Sequence, residues 1–288
     1  MLTQTLARSI ESADQRLVLL APPTTVISPV FESTELNPGR HAELLTQMQR
    51  LRGSVYLQDG AVESRELTAD GRHRMPEDEK SWHILMVDES GKVTACIWYM
   101  AHAPKVSSFD GLRLRHCPLL SDPTWGDRLR LAIEHDLETA QREGIGYSEA
   151  GGWAVAKDSA CISEGLVLAL GCFSLSRALG DTLCVSTATV RHCSSTILRR
   201  LGGSDLRADG HILPTYYDPR YRCEIELLRF DSRHASPKYA GFVEMLRHKL
   251  TSALVLVREP SQVMSTSALR LEAAAPRVSL GSTRVVAA

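Results

Sequence analysis

The sequence of 288 residues lacks a long apolar run, a surplus of one charge and any cysteine spacing typical of zinc sites. Without about 18 consecutive apolar residues, we expect no transmembrane helix. The net charge of −1 argues against a nucleic-acid-binding protein, which would carry a basic surplus or stripe. Residues 1–20 contain several charged side chains and no apolar run suited to secretion, so we expect a cytoplasmic protein.

The cysteines give no sign of disulfides or of a metal site. Seven are scattered through the chain, and no CxxC or Cys/His pair has zinc-ligand spacing. Most lie in apolar runs, so we expect reduced thiols that pack in the core. Cys161, His192 and Cys193 suggest a thiol nucleophile, but no flanking residues support that chemistry.

What is present suits a globular enzyme with one large domain. The chain is 43% hydrophobic and 23% charged. We expect an irregular N-terminal extension over residues 1–40, in which residues 2–20 could form an amphipathic helix. The main domain is expected over 41–255, and a disordered tail over 256–288.

The pattern of apolar residues predicts an α/β fold. Helices are predicted over residues 41–52, 126–142, 162–179, 192–201 and 237–250. Strands are predicted over 82–88, 92–102, 112–117, 147–156, 182–189, 212–217 and 221–230, with a long loop at 58–80. The alternation of strands and helices implies parallel pairing, while the hairpins at each end imply antiparallel edges. A mixed central sheet with helices on both faces follows.

Three parts of the main domain carry a resemblance to a known family. The first part consists of Arg52–Tyr56, the acidic residues 77–79 and the start of the predicted strand at 82–85. The second part is Glu149–Val155. The third part is Val185–Thr189 followed by Ser195–Gly202. In order and spacing they resemble the GNAT acyltransferases, and in particular the N-acyl amino acid synthases and acyl-homoserine-lactone (autoinducer) synthases. The resemblance spans roughly residues 42–230 and implies a GNAT-like sheet.

Departures from the autoinducer pattern favour the N-acyl amino acid synthases. Gly151 and Gly152 stand where the autoinducer synthases carry a Ser-Arg pair, and Ser81 stands where a second acid would fall. The tyrosine that many GNAT enzymes use as general acid would fall near Leu198, so a different proton donor would be needed. The phosphate loop of the family is degraded here to 157–162.

The resemblance also implies site residues. Glu149 is the predicted catalytic base, acting directly or through a water; the alternative is a salt-bridged glutamate at the strand mouth. The acyl-phosphopantetheine donor would be held by Trp153, Val155, Ala156, Lys157, Ser159 and Ala160. An ordinary strand–helix connection, with Ser159 as a helix cap, is the alternative.

Other residues are candidates for the acceptor and for a partner. Arg52, Asp78 and Thr187 are predicted to bind the acceptor, although surface roles are common for such charged residues. Trp153 and the apolar helix at 162–179 form either an acyl channel or plain core. The arginines 191, 199 and 200 could dock an acidic acyl carrier protein, contact a coenzyme A phosphate or form a solvated face.

The sequence thus predicts an N-acyltransferase. It would move an acyl group, expected to be long, from acyl carrier protein or acyl-CoA to an amino acid or related amine. No metal or tightly bound cofactor is predicted, because the donor is a co-substrate. The alternatives are a short-chain N-acetyltransferase that uses acetyl-CoA, and a degenerate GNAT module that binds a ligand without turnover.

Overall fold

The computed structural model describes residues 2–11, 17–23, 25–102, 108–157 and 162–260. The helices of this part are α1 (Leu2–Glu11), α2 (Pro38–Gln58), α3 (Gly126–Glu143), α4 (Ile162–Leu179), α5 (Ser194–Leu201) and α6 (Ala240–Ser252). The strands are β1 (Leu17–Leu20), β2 (Ser33–Leu36), β3 (Trp82–Val87), β4 (Val93–His102), β5 (Gly146–Val155), β6 (Thr182–Thr189), β7 (Ser204–Asp205), β8 (Arg207–Ala208), β9 (His211–Ile212), β10 (Tyr216–Asp218), β11 (Cys223–Asp231) and β12 (Leu254–Val257).

One mixed sheet organises the fold. Its strand order is β10-β11-β6-β5-β4-β3-β1-β12-β2, with β7 paired to β11, while β8 and β9 form a separate small hairpin. Three pairs are parallel, namely β5 with β6, β1 with β12 and β12 with β2. The β3–β4 and β10–β11 pairs are antiparallel. The α/β class with a mixed sheet is therefore confirmed.

Helices cover both faces of the sheet. On one face α1, α4 and α6 pack together over a core that includes Leu168, Leu170 and Phe173 of α4. On the other face α2 and α3 cover separate clusters around Leu85 and Ile133. Because α4 is apolar on most sides, it is buried between the sheet and other helices. None of the described helices is long and apolar enough to cross a membrane.

The N-terminal region differs from the predicted irregular extension. A helix covers Leu2–Glu11, but β1 lies inside the sheet, between β3 and β12. At the other end β12 occupies residues on both sides of the predicted boundary at 256. The tail from 261 onward lies outside the described residues. Both strands have four residues and pair with each other across most of the chain, so local pattern does not reveal them.

Several inner elements also differ from the prediction. The strand predicted over 112–117 is a series of 3-10 turns, which include Arg113–His116. The predicted strand at 212–217 divides into β9 and β10, and the helix predicted over 41–52 extends over all of α2. Pro76–Glu79 forms a 3-10 turn within the predicted long loop. These short turns matter because they carry charged residues to the centre of the molecule.

Candidate functional site

A wedge opens in the middle of the sheet, between β5 and β6. Their parallel pairing ends at Ala150 and Ser186. Beyond that point β5 stays with β4 as far as Val155, and β6 stays with β11 as far as Thr189. The Ser186 hydroxyl donates to the Ala150 carbonyl, with 3.0 Å between the oxygens, at the last point of contact. The two strands therefore separate and leave room between them.

A cavity of about 190 Å³ occupies this wedge and is lined by residues from both faces of the sheet. Under α4 its lining forms what we call the inner chamber, which contains Tyr99, Cys172, Phe173, Ser176, Cys184 and Phe230. On the other face the lining forms the arginine mouth, which we define as Tyr56, Asp59, Arg113, Arg191 and Tyr221. An apolar pocket that carries a few polar groups is the usual form of a small-molecule site.

Two tryptophans shape the cavity, and glycines make room for them. A Cβ on Gly151 would lie 2.7 Å from Trp98, and a Cβ on Gly152 would lie 2.2 Å from it. Gly152 also has a φ of +66°, a conformation that favours glycine. A Cβ on Gly165 of α4 would lie 2.8 Å from Trp153. The Gly-Gly pair is thus the packing partner of Trp98.

Arg113 reaches the cavity from the turns that follow β4. Its Nε donates to Glu77, with 3.0 Å between the atoms, and its Nη2 donates to the Tyr221 hydroxyl at 3.2 Å. Its guanidinium carbon lies 5.7 Å from the centre of the Trp98 ring, which is a cation–π distance. Burial lowers the pKa of Arg113, but Tyr221 and Glu77 more than offset this, so it lies above the ordinary value. The side chain carries a fixed positive charge.

The arginine mouth is held together through Tyr221. Arg191 donates from Nη2 to the Tyr221 carbonyl at 3.1 Å, so both arginines contact this one residue. The Tyr56 and Tyr221 rings meet edge to face, with 6.2 Å between their centres. Burial, and then Tyr221, raise the pKa of Tyr56, which therefore stays protonated near neutral pH. Asp59 is the carboxylate among the lining residues.

Glu149, the predicted base, is buried one residue before the wedge and is not among the residues that line the cavity. Its carboxylate accepts hydrogen bonds from the backbone N–H groups of Arg113 and Leu114, at 2.8 and 2.9 Å. His102 Nε2 lies 2.9 Å from the same carboxylate. These contacts fix the backbone that carries Arg113. Base catalysis by Glu149 stays a prediction.

Arg52 and Asp78, predicted to bind the acceptor, bind each other instead. Two parallel hydrogen bonds of 2.8 and 2.7 Å join the guanidinium to the carboxylate. Gln49 and the backbone N–H of Met75 also donate to Asp78, and the His73 carbonyl accepts from Arg52. Neither residue lines the cavity. Both side chains are thus engaged within the protein, and acceptor binding by Arg52 and Asp78 stays a prediction.

The predicted donor residues fall into three groups. Trp153 lines the cavity, as does Thr187 from the acceptor set. Val155 packs against the core and Lys157 is exposed. The backbone N–H of Ala156 donates to the Thr94 carbonyl at 2.8 Å, which continues the hydrogen bonding between β5 and β4. The remaining donor residues, Ser159 and Ala160, lie outside the described residues, as does Cys161.

The three arginines predicted to dock a carrier protein do not form one free cluster. Arg191 belongs to the arginine mouth. Arg199 is paired with Asp205 and Glu226, and Arg200 is exposed. Only part of the expected positive charge is therefore open to an acidic partner on this face.

Residues that sequence reasoning missed make up much of the site. No sequence motif pointed to Trp98, Arg113 or Tyr221. The segment around Arg113 was predicted to be a strand. Leu198, noted where a family tyrosine would fall, does line the cavity, and Tyr56 and Tyr221 supply phenols there. Within the described ranges no cluster of three or more His, Cys, Asp or Glu residues could hold a metal ion.

The sequence matches no model of a known protein family, and no curated protein is significantly similar to it. Similar solved structures include FeeM, an N-acyl amino acid synthase from uncultured soil microbes, at 12% identity and a TM-score of 0.44, covering 76% of this chain and 92% of FeeM. BjaI, a CoA-dependent acyl-homoserine lactone synthase, has 12% identity and a TM-score of 0.49, covering 90% of this chain and 99% of BjaI.

An acyl-CoA N-acyltransferase from Pseudomonas aeruginosa is similar at 14% identity and a TM-score of 0.38, covering 66% of this chain and 90% of that protein. The names of these proteins are those of the families that the sequence resembles. At this identity the likeness concerns the fold, and the activities named are those of the similar proteins.

Proposed function

We propose that the protein is an N-acyltransferase that moves an acyl group from a phosphopantetheine thioester to an amino acid or related amine. The observation that carries the proposal is the cavity in the wedge between β5 and β6. It joins an apolar chamber on one face of the sheet to a charged mouth on the other. Acyl transfer needs such an arrangement, because two chemically different substrates must meet at one carbonyl carbon.

The donor would lie along β5. Beyond Ala150 the edge of this strand has separated from β6, and an exposed strand edge offers amide groups to an extended ligand. The pantetheine arm has amides of its own that can pair with such an edge. Trp153 lines the cavity beside this edge, and the helix α4 begins beyond it. Phosphate binding by Lys157, Ser159 and Ala160 is part of this proposal. Both acyl-CoA and acyl carrier protein present this arm, and such donors fit the expected cytoplasmic location.

The acyl chain would occupy the inner chamber. Phe173 and Phe230 meet edge to face there, with 5.7 Å between their ring centres. Burial raises the pKa of Cys172 and of Cys184, so both thiols are neutral near pH 7. A chamber of rings and neutral thiols suits a largely apolar group.

The acceptor would bind in the arginine mouth rather than at Arg52 and Asp78. Arg113 and Arg191 offer guanidinium groups to its carboxylate. Two cations at the mouth complement the carboxylate of an amino acid, and Asp59 lines the same mouth. In the reaction the ammonium first gives one proton to solvent. The neutral amine then attacks the thioester carbonyl, the C–S bond breaks, and the thiolate leaves and takes up the second proton released by the amine.

The direct test is product formation by the purified protein. Acyl-CoA and acyl carrier protein thioesters of several chain lengths would each be incubated with single amino acids, and products identified by mass spectrometry. We expect an N-acyl amino acid together with one equivalent of free thiol. Thiol release without N-acyl product, or no reaction with any pair, would count against the proposal.

Glu149 would act as a positioning residue that holds the backbone of Arg113. A double-mutant cycle separates this role from the predicted base role. If Glu149 acts through Arg113, then Glu149→Gln and Arg113→Met each raise KM for the amine, and their combined effect is smaller than the sum. If Glu149 is the base, Glu149→Gln lowers kcat, alters the pH profile of kcat and adds to the Arg113 effect.

A further inference from the structure

Four hydroxyl groups meet beside the inner chamber, at the end of β6 that lies away from the wedge. Thr182 Oγ1 lies 2.7 Å from Ser176 Oγ, 2.8 Å from Ser148 Oγ and 3.0 Å from the Tyr99 hydroxyl. All four residues are buried, and Tyr99 and Ser176 also line the cavity. Thr182 is four residues before Ser186 on β6, which places this hydroxyl cluster about 13 Å from the wedge.

Counting protons limits the arrangements that the cluster can adopt. Each hydroxyl has one proton, so Thr182 donates in at most one of its three contacts and accepts in the others. Ser148 has a second acceptor, the Leu183 carbonyl at 3.4 Å. If Thr182 donates to Ser148 and Ser148 to Leu183, then Tyr99 and Ser176 both donate to Thr182. This assignment gives every buried proton an acceptor, as buried polar groups require.

The same assignment leaves Tyr99 and Ser176 with unused acceptor capacity and no unused proton. Burial raises the pKa of Tyr99, so its phenol keeps that proton near neutral pH. Ser232, which also lines the cavity, has its proton on Asp181 at 2.8 Å. In this arrangement the part of the chamber beside the hydroxyl cluster offers hydrogen-bond acceptors. A methyl group there would leave them without a partner, whereas a hydroxyl group would donate to them.

We propose that the inner chamber selects an acyl group that bears a hydroxyl group remote from the thioester, bound by Tyr99 and Ser176. This inference rests on the proposed function in one respect only, namely that the acyl group occupies the inner chamber. It names the chemical class of the acyl donor, with the apolar part against Phe173 and Phe230 and the hydroxyl at the far end.

The test compares matched pairs of coenzyme A thioesters that differ by one hydroxyl. One set is a series of straight chains of increasing length, each with and without a terminal hydroxyl; another pair is para-hydroxyphenylpropionyl-CoA and phenylpropionyl-CoA. Binding is followed by the fluorescence of Trp98 and Trp153, which line the cavity, without any acceptor. At the best-fitting length, we expect the hydroxylated thioester to bind about tenfold more tightly.

The variants Tyr99→Phe and Ser176→Ala remove one acceptor each without adding bulk. Each should bring the ratio of the two affinities toward one, whereas Cys172→Ala, which alters the same chamber outside the cluster, should leave the ratio unchanged. Any of three results would overturn the inference. They are equal affinity within every pair, no binding of any thioester, and a preference that survives when Tyr99→Phe and Ser176→Ala are combined.

The results also separate the inference from the proposed function. Selective binding with no transfer to any amine would support the hydroxyl site and remove the transferase. Transfer of plain and hydroxylated acyl groups at equal kcat/KM would support the transferase and overturn the hydroxyl site.

Discussion

Arg52 and Arg113 are held by neighbouring acids of one 3-10 turn, Pro76–Glu79. Arg52 pairs with Asp78, and Arg113 pairs with Glu77. The side chain of Arg52 is 0% exposed, and both of its terminal nitrogens donate to the Asp78 carboxylate. The side chain of Arg113 is 11% exposed, borders the cavity and lies over an aromatic ring. One turn therefore supports a closed ion pair and an arginine that borders the cavity, through two adjacent acids.

The difference shows that burial and pairing do not by themselves identify a structural arginine. Asp78 takes both terminal nitrogens of Arg52, which leaves no room for a ligand. Glu77 takes only the Nε of Arg113, so the outer part of the guanidinium faces Tyr221 and the cavity. The geometry of the acid, rather than its presence, decides which arginine is open to a substrate.

The largest effect on stability is expected at the buried ion pair of Arg52 and Asp78. Arg52→Met should lower the free energy of unfolding by about 3–5 kcal/mol, because it leaves the Asp78 carboxylate buried without its cation. Urea or guanidinium unfolding measures this loss. Transfer activity per folded molecule should stay near that of the wild type, in contrast to Arg113 variants.

A double variant is the control for this comparison. Arg52→Met with Asp78→Asn removes both charges, and should be more stable than Arg52→Met alone. If Arg52 bound the acceptor, the single variant would raise KM for the amine at unchanged stability, and the comparison would be overturned.

The next largest loss of stability is expected at Gly151 and Gly152, against which the Trp98 ring packs. Gly152→Ala should cost about 2–4 kcal/mol, since the new Cβ would meet Trp98 and the backbone has a positive φ. Gly91→Ala is the matched control, because Gly91 has a φ of +82° and open space around it. Equal losses in both variants, measured by thermal unfolding, would show that Trp98 does not need the glycine.

Arg113→Met should raise KM for the amine acceptor by about 10- to 100-fold, since charged hydrogen bonds contribute about 1.5–3 kcal/mol. Steady-state kinetics with varied acceptor measures it, and KM for the donor should change little. Arg65→Met, at an exposed arginine paired with Glu63, controls for the loss of one positive charge. A rise in KM for the donor alone would show that Arg113 contacts the donor and not the acceptor.

The smallest effect concerns His73, whose carbonyl contacts Arg52. Burial, and then the charge of Arg52, lower the pKa of its imidazole to about 4. The unfolded chain takes up this proton near the ordinary pKa of 6.5, so the folded state loses stability as the pH falls from there to about 4. Between pH 7 and pH 5 the loss is about 1–2 kcal/mol. His73→Gln should make unfolding less dependent on pH over this range; an unchanged slope would contradict the assignment.

Much of the fold was predictable because its helices and strands have clear local sequence patterns. The hairpin of β3 and β4 follows from two apolar runs around a Ser-Gly turn, and α3 ends at Gly144, which has a φ of 68°. The apolar composition of α4 predicts burial. In contrast, β1 and β12 are four-residue strands from opposite ends of the chain, and neither has a pattern long enough to interpret.

The site was predictable only where its residues lie on those elements. Trp153 and Thr187 are on the two strands of the wedge, and both line the cavity. Arg113 and Tyr221 lie in turns, whose direction depends on contacts with residues far along the chain. The backbone of Arg113 is set by Glu149, 36 residues later, and Tyr221 is contacted by Arg191.

By itself the sequence determined the order of the central strands and helices, the burial of α4 and the central place of β5. These follow from side-chain periodicity and turn residues, which act within a few positions of each other. The tertiary structure decided which charges are satisfied, where the cavity opens and why β5 carries two glycines. Those outcomes depend on atoms such as the Trp98 ring and the Asp78 carboxylate, brought together by folding from distant positions.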